Sequence, residues 1–241
     1  GVSRVVAAIA DPNPQVAGKG LAMLSAAGIR TESGLLETEA RELNRGFLSR
    51  IERGRPFVRL KCAASLDGKT ALSDGLSQWI TGEAARHDVQ ILRAESCAIL
   101  TGIGTVLADD PQLNVRAFPT LRQPLRIILD SRLRLPPTTK LLADPASPVL
   151  LLTAVPPEKY PAALTAVPHL DILTVPAADG RISLPAALTL LAERGIGELL
   201  VEAGATLCGA FLQAGLADEI VLYQAGKILG SNARSLFDLP E

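Results

Sequence analysis

Three short clusters place glycine and ionisable side chains directly after apolar runs, where a strand would hand over to a helix. Residues 201–210 (VEAGATLCGA) run from an apolar stretch through Glu202 to Gly204 and then into a helix-forming segment. Backbone amides at such a helix start can face an anion, and Glu202 would stand beside that pocket as an acid. Residues 102–111 (GIGTVLADDP) follow another apolar run with two glycines, which let a backbone approach a phosphate closely. Position 107 is Leu where a dinucleotide fingerprint needs its third glycine, so that signature is absent. Residues 61–70 (KCAASLDGKT) carry Lys61 into a Ser, an Asp and a Gly. Arg93 and Arg116 add two guanidinium forks of the kind that match phosphate oxygens. The chemistry on offer is the binding of a phosphorylated ligand with an acid at hand. Each cluster also has a plainer reading: an Asp-Gly turn, a tight turn stopped by Pro111, a glycine needed for packing, a solvated arginine. The lone Trp79 follows a Gly/Ser stretch and reads as core or as a stacking platform.

The elements that would position these residues alternate along the chain. From residue 57 onward, short apolar runs at 57–64, 97–101, 125–130, 149–153, 170–175, 199–202 and 219–224 read as strands. Residues 83–94, 184–193 and 205–214 read as helices between them, the first with Thr81 as its N-cap and Ala85, Val89 and Leu92 on its apolar face. Such alternation predicts a mainly parallel sheet covered on both faces. Ligands of that architecture bind beyond the carboxyl ends of the strands, which is where the three clusters fall. Ahead of it, residues 2–10 read as a buried strand and 20–27 as a short helix closed by Gly28. Residues 37–53 read as one amphipathic helix with Ala40, Leu43, Phe47 and Ile51 on its apolar face. Gly54-Arg55-Pro56 ends that helix and marks the expected domain boundary.

Composition narrows the function classes. The chain has 241 residues, 48% of them apolar, enough to bury a core without a disulfide or a metal. A net charge of -1 and 3% aromatics argue against a nucleic-acid grip or a base-stacking platform. Cys62, Cys97 and Cys208 have no metal-ligand spacing, and His87 and His169 stand apart, so no metal site and no disulfide framework is expected. No apolar run has bilayer-spanning length and no signal-peptide pattern opens the chain, which makes a reduced cytoplasmic setting the expectation. The start at Gly1 rather than Met suggests a fragment or a processed chain.

Read in order, these segments resemble the bacterial bifunctional riboflavin-biosynthesis family that joins diaminohydroxyphosphoribosylaminopyrimidine deaminase to 5-amino-6-(5-phosphoribosylamino)uracil reductase. The resemblance runs over nearly the whole chain. It rests on KCAASLDGKT at 61–70, SQWIT at 77–81, Leu92-Arg93-Ala94, TVLADDPQLNVR at 105–116, Leu129-Asp130-Ser131, VEAG at 201–204 and Leu229-Gly230. It implies an α/β fold: a dihydrofolate-reductase-like three-layer reductase domain over 56–241, short of its C-terminal end. Ahead of it, residues 1–55 match the C-terminal portion of a cytidine-deaminase-like domain. The His-x-Glu and Pro-Cys-x-x-Cys motifs of that domain are absent, so zinc and deamination are expected only in a complete parent chain.

For the site, the resemblance implies NADPH as cofactor, with Ala63, Trp79, Thr105, Asp109 and Ser131 as contacts. Gly204, Ala205, Thr206, Leu207, Cys208, Gly209 and Ala210 would form the loop and helix start under its phosphates. Ser131 and Arg132 are the candidates for the 2′-phosphate. Ser77, Arg93, Leu113, Arg116 and Glu202 are implied substrate contacts, and Glu202 with Lys61 the pair assisting sugar opening or proton transfer. The implied activity is reduction of the ribosyl group of a phosphorylated aminouracil to a ribityl chain. The partner expected is that small molecule, with no nucleic acid and no membrane; a homo-oligomer stays open. Two alternatives stand beside it: a reductase of the same fold with a pterin-like substrate, and a folded fragment without activity.

Overall fold

The computed structural model of the chain describes residues 1–75 and 80–240. An N-terminal segment holds β1 (Arg4–Ala7), α1 (Lys19–Ala26), β2 (Arg30–Ser33), α2 (Glu37–Leu43) and α3 (Arg45–Arg53). Then follow β3 (Phe57–Ser65), β4 (Lys69–Ala71), α4 (Glu83–Glu95), β5 (Ala98–Gly102), α5 (Ile103–Asp109), β6 (Leu125–Leu129), β7 (Val149–Thr153), α6 (Ala162–Thr165) and β8 (Leu170–Thr174). The chain continues through β9 (Ala177–Ala178), β10 (Arg181–Ile182), α7 (Leu184–Glu193), β11 (Glu198–Val201), α8 (Ala205–Gln213), β12 (Glu219–Ala225) and β13 (Arg234–Ser235).

Seven of these strands form one sheet in the order β12-β3-β11-β5-β6-β7-β8. Every neighbouring pair in it is parallel. The expected three-layer α/β architecture is therefore present, and its cause is visible in the strands. LRIIL and VLLLT are apolar almost without interruption, which suits strands covered on both sides. Alternate residues feed two cores. Val58, Leu60, Leu100, Leu152 and Val201 pack with Leu188 and Leu191 of α7 and Phe211 of α8. Ile99, Ile128, Leu151 and Leu200 pack with Ile103 and Val106 of α5, Leu164 of α6 and Leu92 of α4. Helix α7 begins where local chemistry tells it to: the Ser183 hydroxyl accepts from the Ala186 amide, and Pro185 sits in the first turn.

The covering helices locate the crevice. Strand β5 exits into α5 on one face, and β11 exits into α8 on the other. The two strands lie side by side, so their outgoing connections diverge and open a cleft at their carboxyl ends.

The N-terminal part departs from expectation in several places. The first strand is shorter than 2–10 and is not buried; it pairs only with β2, in a two-stranded parallel ribbon. The helix expected over 37–53 is broken at Asn44, whose side-chain amide donates to the Ala40 carbonyl at 2.8 Å in competition with the backbone ladder. The face predicted for it also turns. Leu43 is 85% exposed, and α3 instead buries Gly46, Leu48 and Ser49. Close approach decides this, because a Cβ on Gly46 would lie 3.0 Å from the Gly197 carbonyl carbon at the entrance to β11. Packing thus attaches α3 to the sheet. At α4 the cap is Gly82 rather than Thr81, with no side-chain cap bond. Among the described residues no helix is long and apolar enough to cross a membrane.

Candidate functional site

The cleft is built around Glu202, the first residue beyond β11. Its amide donates to the Leu100 carbonyl of β5 at 2.9 Å, which fixes the backbone at the fork between the two strands. Its side chain is 10% exposed and meets three cations. Arg93 of α4 grips it bidentately, Nε to one oxygen at 2.6 Å and Nη2 to the other at 2.9 Å. Lys61 of β3 stands with Nζ 4.0 Å away. Burial alone would push the Glu202 carboxyl up, but Arg93, then Lys61 and Arg116, outweigh it and hold the group below the ordinary carboxylate range. Arg93 mirrors this: burial disfavours its charge, and Glu202 more than restores it. The carboxylate is ionised at neutral pH, and cations outnumber it locally three to one, so the cleft favours an anionic ligand.

Arg93 spends two of its nitrogens on Glu202 and gives Nη1 to the Asn114 carbonyl at 3.1 Å. The guanidinium left open to a ligand is Arg116, which is exposed and, among the described residues, hydrogen-bonds Asn114 Oδ1 at 3.3 Å. Arg116 rides on a loop held at many points. Gln90 of α4 accepts from the Arg116 amide at 2.9 Å, and Gln123 both accepts from and donates to the Val115 peptide at 2.8 Å. Thr139 and the Lys140 amide hold Asp110, and Arg126 takes the Gln112 carbonyl. Within this loop Asp110 and Leu113 adopt left-handed backbone, φ 41° and 50°, unusual outside glycine. The Leu113 side chain is buried in the core with Ile103 and Val106, so only its backbone can face the cleft.

On the other side of the cleft, Gly204 caps α8 in extended conformation with no side-chain cap bond. A Cβ on Gly204 would meet nothing within 4 Å, and the same holds for Gly104 in α5. Open space above uncapped amides at Ala205, Thr206 and Leu207 suits the phosphates of a dinucleotide. The rest of that segment does other work. Cys208 is buried against Ala203, and a Cβ on Gly209 would strike the Asp238 backbone, so Gly209 serves packing. Ala210 is half-buried in the second turn. Thr206 donates to the Asp238 carboxylate at 3.2 Å.

Ala63 lies on β3 two residues beyond Lys61 and on the same face. Thr105 and Asp109 lie on α5, half-buried and exposed. Ser131 follows β6, and its hydroxyl accepts from the Ile182 amide of β10 at 3.2 Å. Ser77 and Trp79 lie outside the described residues. The structure thus brings Lys61, Arg93, Arg116 and Glu202 into one cluster and sets the α5 and α8 residues along its rim.

Several contributors were not among the expected site residues, although Asp67 and Asp130 lie in segments the sequence singled out. Asp130 accepts from the Arg134 and Leu135 amides and shapes the exit of β6 next to Ser131. Asp67 ties the β3–β4 turn to the loop after β12 by accepting from Leu229 and Gly230; together with Ser65 this draws its carboxyl down to about 2. The signal for both was a lone Asp at a strand exit. Gln90, Gln123, Asp88 and Tyr223 carried no such signal.

Residues 56–241 match the family described as the RibD C-terminal domain. The chain is 46% identical over 252 residues to riboflavin biosynthesis protein RibD of Escherichia coli (strain K12), covering all of this chain and 67% of that protein. Among solved structures, Acinetobacter baumannii RibD superposes with TM-score 0.89 at 46% identity, over 100% of this chain and 65% of that one. The Thermotoga maritima diaminohydroxyphosphoribosylaminopyrimidine deaminase/5-amino-6-(5-phosphoribosylamino)uracil reductase superposes at TM-score 0.83 and 34% identity, over 98% and 63%. The chain spans about two thirds of the length of the relatives it matches.

Proposed function

The chain belongs to the RibD C-terminal domain family, and from that premise we propose that it reduces the ribosyl group of 5-amino-6-(5-phosphoribosylamino)uracil to a ribityl chain, with NADPH as reductant. The observation that carries this reading is Glu202, held ionised between Arg93 and Lys61 at the fork of the sheet.

The reaction opens the sugar ring and saturates the carbon–nitrogen bond at C1′. A proton at the ring oxygen breaks the C1′–O bond and leaves an iminium that keeps its N–H; a hydride at C1′ then gives the neutral amine, so one proton and one hydride are added in all. Bound NADPH supplies the hydride. The Lys61 ammonium is the proton donor of the cleft, since Glu202 is ionised and Arg93 does not give up its proton. Glu202 accepts from sugar hydroxyls and fixes which carbon faces the cofactor. Arg116 receives the substrate phosphate as a charged fork, while Arg93 keeps Glu202 charged and aimed. The uncapped start of α8 receives the cofactor pyrophosphate.

Preference for NADPH over NADH falls to a basic corner beside Ser131. Arg132 follows it and brings Nη2 within 4.0 Å of the Cβ position of Gly180, in the turn between β9 and β10; Arg181 lies just beyond that turn. Neither guanidinium has an ion-pair partner among the described residues. Both are free to meet a 2′-phosphate.

The test is loss of NADPH absorbance on addition of the aminouracil ribosyl phosphate. Turnover that falls more steeply for NADPH than for NADH in Arg132→Ser is the expected result. Cofactor binding without turnover of this substrate would overturn the assignment of the reaction.

A further inference from the structure

We propose that Tyr223, anchored through its hydroxyl to Asp88, is the positioning residue for the Lys61 ammonium; the inference rests on the proton-donor role given to Lys61 above. Lys61 has one ion-pair partner among the described residues, Glu202 at 4.0 Å, which is beyond hydrogen-bond reach. Both Glu202 oxygens are already engaged by Arg93 at 2.6 and 2.9 Å. The attraction between Lys61 and Glu202 therefore has strength without direction. A lysine on a four-carbon stem samples several rotamers under such a restraint. Proton delivery to a single atom of a substrate needs a narrower placement.

The sheet register supplies it. Val221 of β12 pairs with Lys61, and Tyr223 pairs with Ala63, so Tyr223 is the diagonal neighbour of Lys61 on the same face. Lys61 Nζ stands 5.9 Å from the centroid of the Tyr223 ring, within the range over which an aromatic face holds a cation. The ring is fixed at its far end, where its hydroxyl donates to Asp88 Oδ2 at 2.5 Å. Burial, then Asp88, pushes the phenol well above its ordinary value, so it stays a donor.

Asp88 and Arg93 both belong to α4. One helix thereby sets both halves of the reacting pair. Arg93 holds Glu202 directly, and Asp88 holds Lys61 through an aromatic ring on the edge strand.

The test is a set of variants in the reductase assay with NADPH affinity measured in parallel. Tyr223→Leu is expected to lower kcat about tenfold, with the Kd for NADPH unchanged. Tyr223→Phe and Asp88→Ala each keep an aromatic ring but remove its anchor, so both are expected to fall between Tyr223→Leu and the native protein. In a Lys61→Met background, Tyr223→Leu is expected to change nothing further. The same drop in both backgrounds would overturn the proposal, as would a kcat that ignores Tyr223→Leu.

A second readout needs no turnover. After reductive methylation with ¹³C-formaldehyde, the Lys61 methyl resonance, identified by its absence in Lys61→Met, should sit upfield beneath the ring. It should move to the position of a solvated lysine in Tyr223→Leu and part of the way in Asp88→Ala. A resonance already at the solvated position in the native protein would overturn the positioning. If the native protein turns over no aminouracil substrate, the functional reading fails while this readout still decides the placement of Lys61.

Discussion

Both ends of the central sheet carry arginine–carboxylate pairs, partly exposed at the amino end and buried at the carboxyl end, and they use them in opposite ways. At the amino end, Asp218 accepts from Arg53, from both Nη atoms of Arg55 and from the Val58 amide, all at 2.7–2.9 Å. Glu219 takes Arg59 at 2.9 Å and Arg45 at 3.2 Å, and Arg45 also faces Glu198 at 3.7 Å. Arg45 also meets Glu42 at 3.1 Å, so four arginines face four carboxylates there, and all but Glu198 have a partner within 3.2 Å. At the carboxyl end a single carboxylate faces Lys61, Arg93 and Arg116. Lys61 stays at 4.0 Å, Arg116 is open to solvent, and the nearby Thr101 hydroxyl, on β5 beside Glu202, is buried with no hydrogen-bond partner among the described residues. A charge-balanced network stabilises the fold and has no surplus cation to offer a ligand. An unbalanced one gives up some of that stability and keeps its surplus charge for substrate.

The contrast can be broken by experiment. Glu202→Gln keeps the shape and removes the charge; turnover is expected to fall about 10³-fold, the scale of losing a group that orients the reacting atoms. The thermal midpoint should fall far less than the activity, and an active Glu202→Gln would erase the distinction between the two ends. Asp218→Ala should do the reverse. It strands two arginines and an amide and is expected to cost about 3 kcal/mol in denaturant unfolding, with KM and kcat of the folded fraction intact. Gly46→Ala presses a methyl against Gly197 and should cost about 2 kcal/mol, again without a kinetic signature.

Arg116→Gln is expected to raise KM for the phosphorylated substrate about tenfold, with no change in unfolding, and the difference should shrink as salt rises. The smallest effect sharpens the comparison most. Glu202 lies below the ordinary carboxylate range because Arg93 overcomes its burial. Activity that needs the ionised form is thus retained above the ordinary carboxylate value and fades as pH falls through the depressed one. In Arg93→Met the acid limb of kcat/KM should move to higher pH. A limb that stays in place would mean that the titrating group is not Glu202.

Much of the sheet was legible from residues because it is buried on both faces: LRIIL and VLLLT admit few other readings. Glycine near a strand exit was a legible sign of open backbone for a related reason, and Gly104 and Gly204 do stand beside open space. What the sequence hid was partnership at long range. Arg93 looked like a phosphate ligand by type, but 109 positions later Glu202 takes two of its nitrogens. The rotated face of α3 depended on Gly197, which is remote in sequence. Tyr223 reads as one more residue of an alternating strand until its register against β3 is known. Local pattern reports burial; it does not report which buried charges face each other.

The loop carrying Arg116 has a kinetic consequence. Its left-handed residues and its bonds to Gln90, Gln123, Thr139 and Arg126 mean that it is ordered before any ligand arrives. The entropy of shaping it is settled during folding, not at each encounter. Arrival then needs no rearrangement and depends on diffusion steered by surplus positive charge. Substitutions at the pins should therefore slow capture, because each visiting phosphate would first have to wait for Arg116 to come into place.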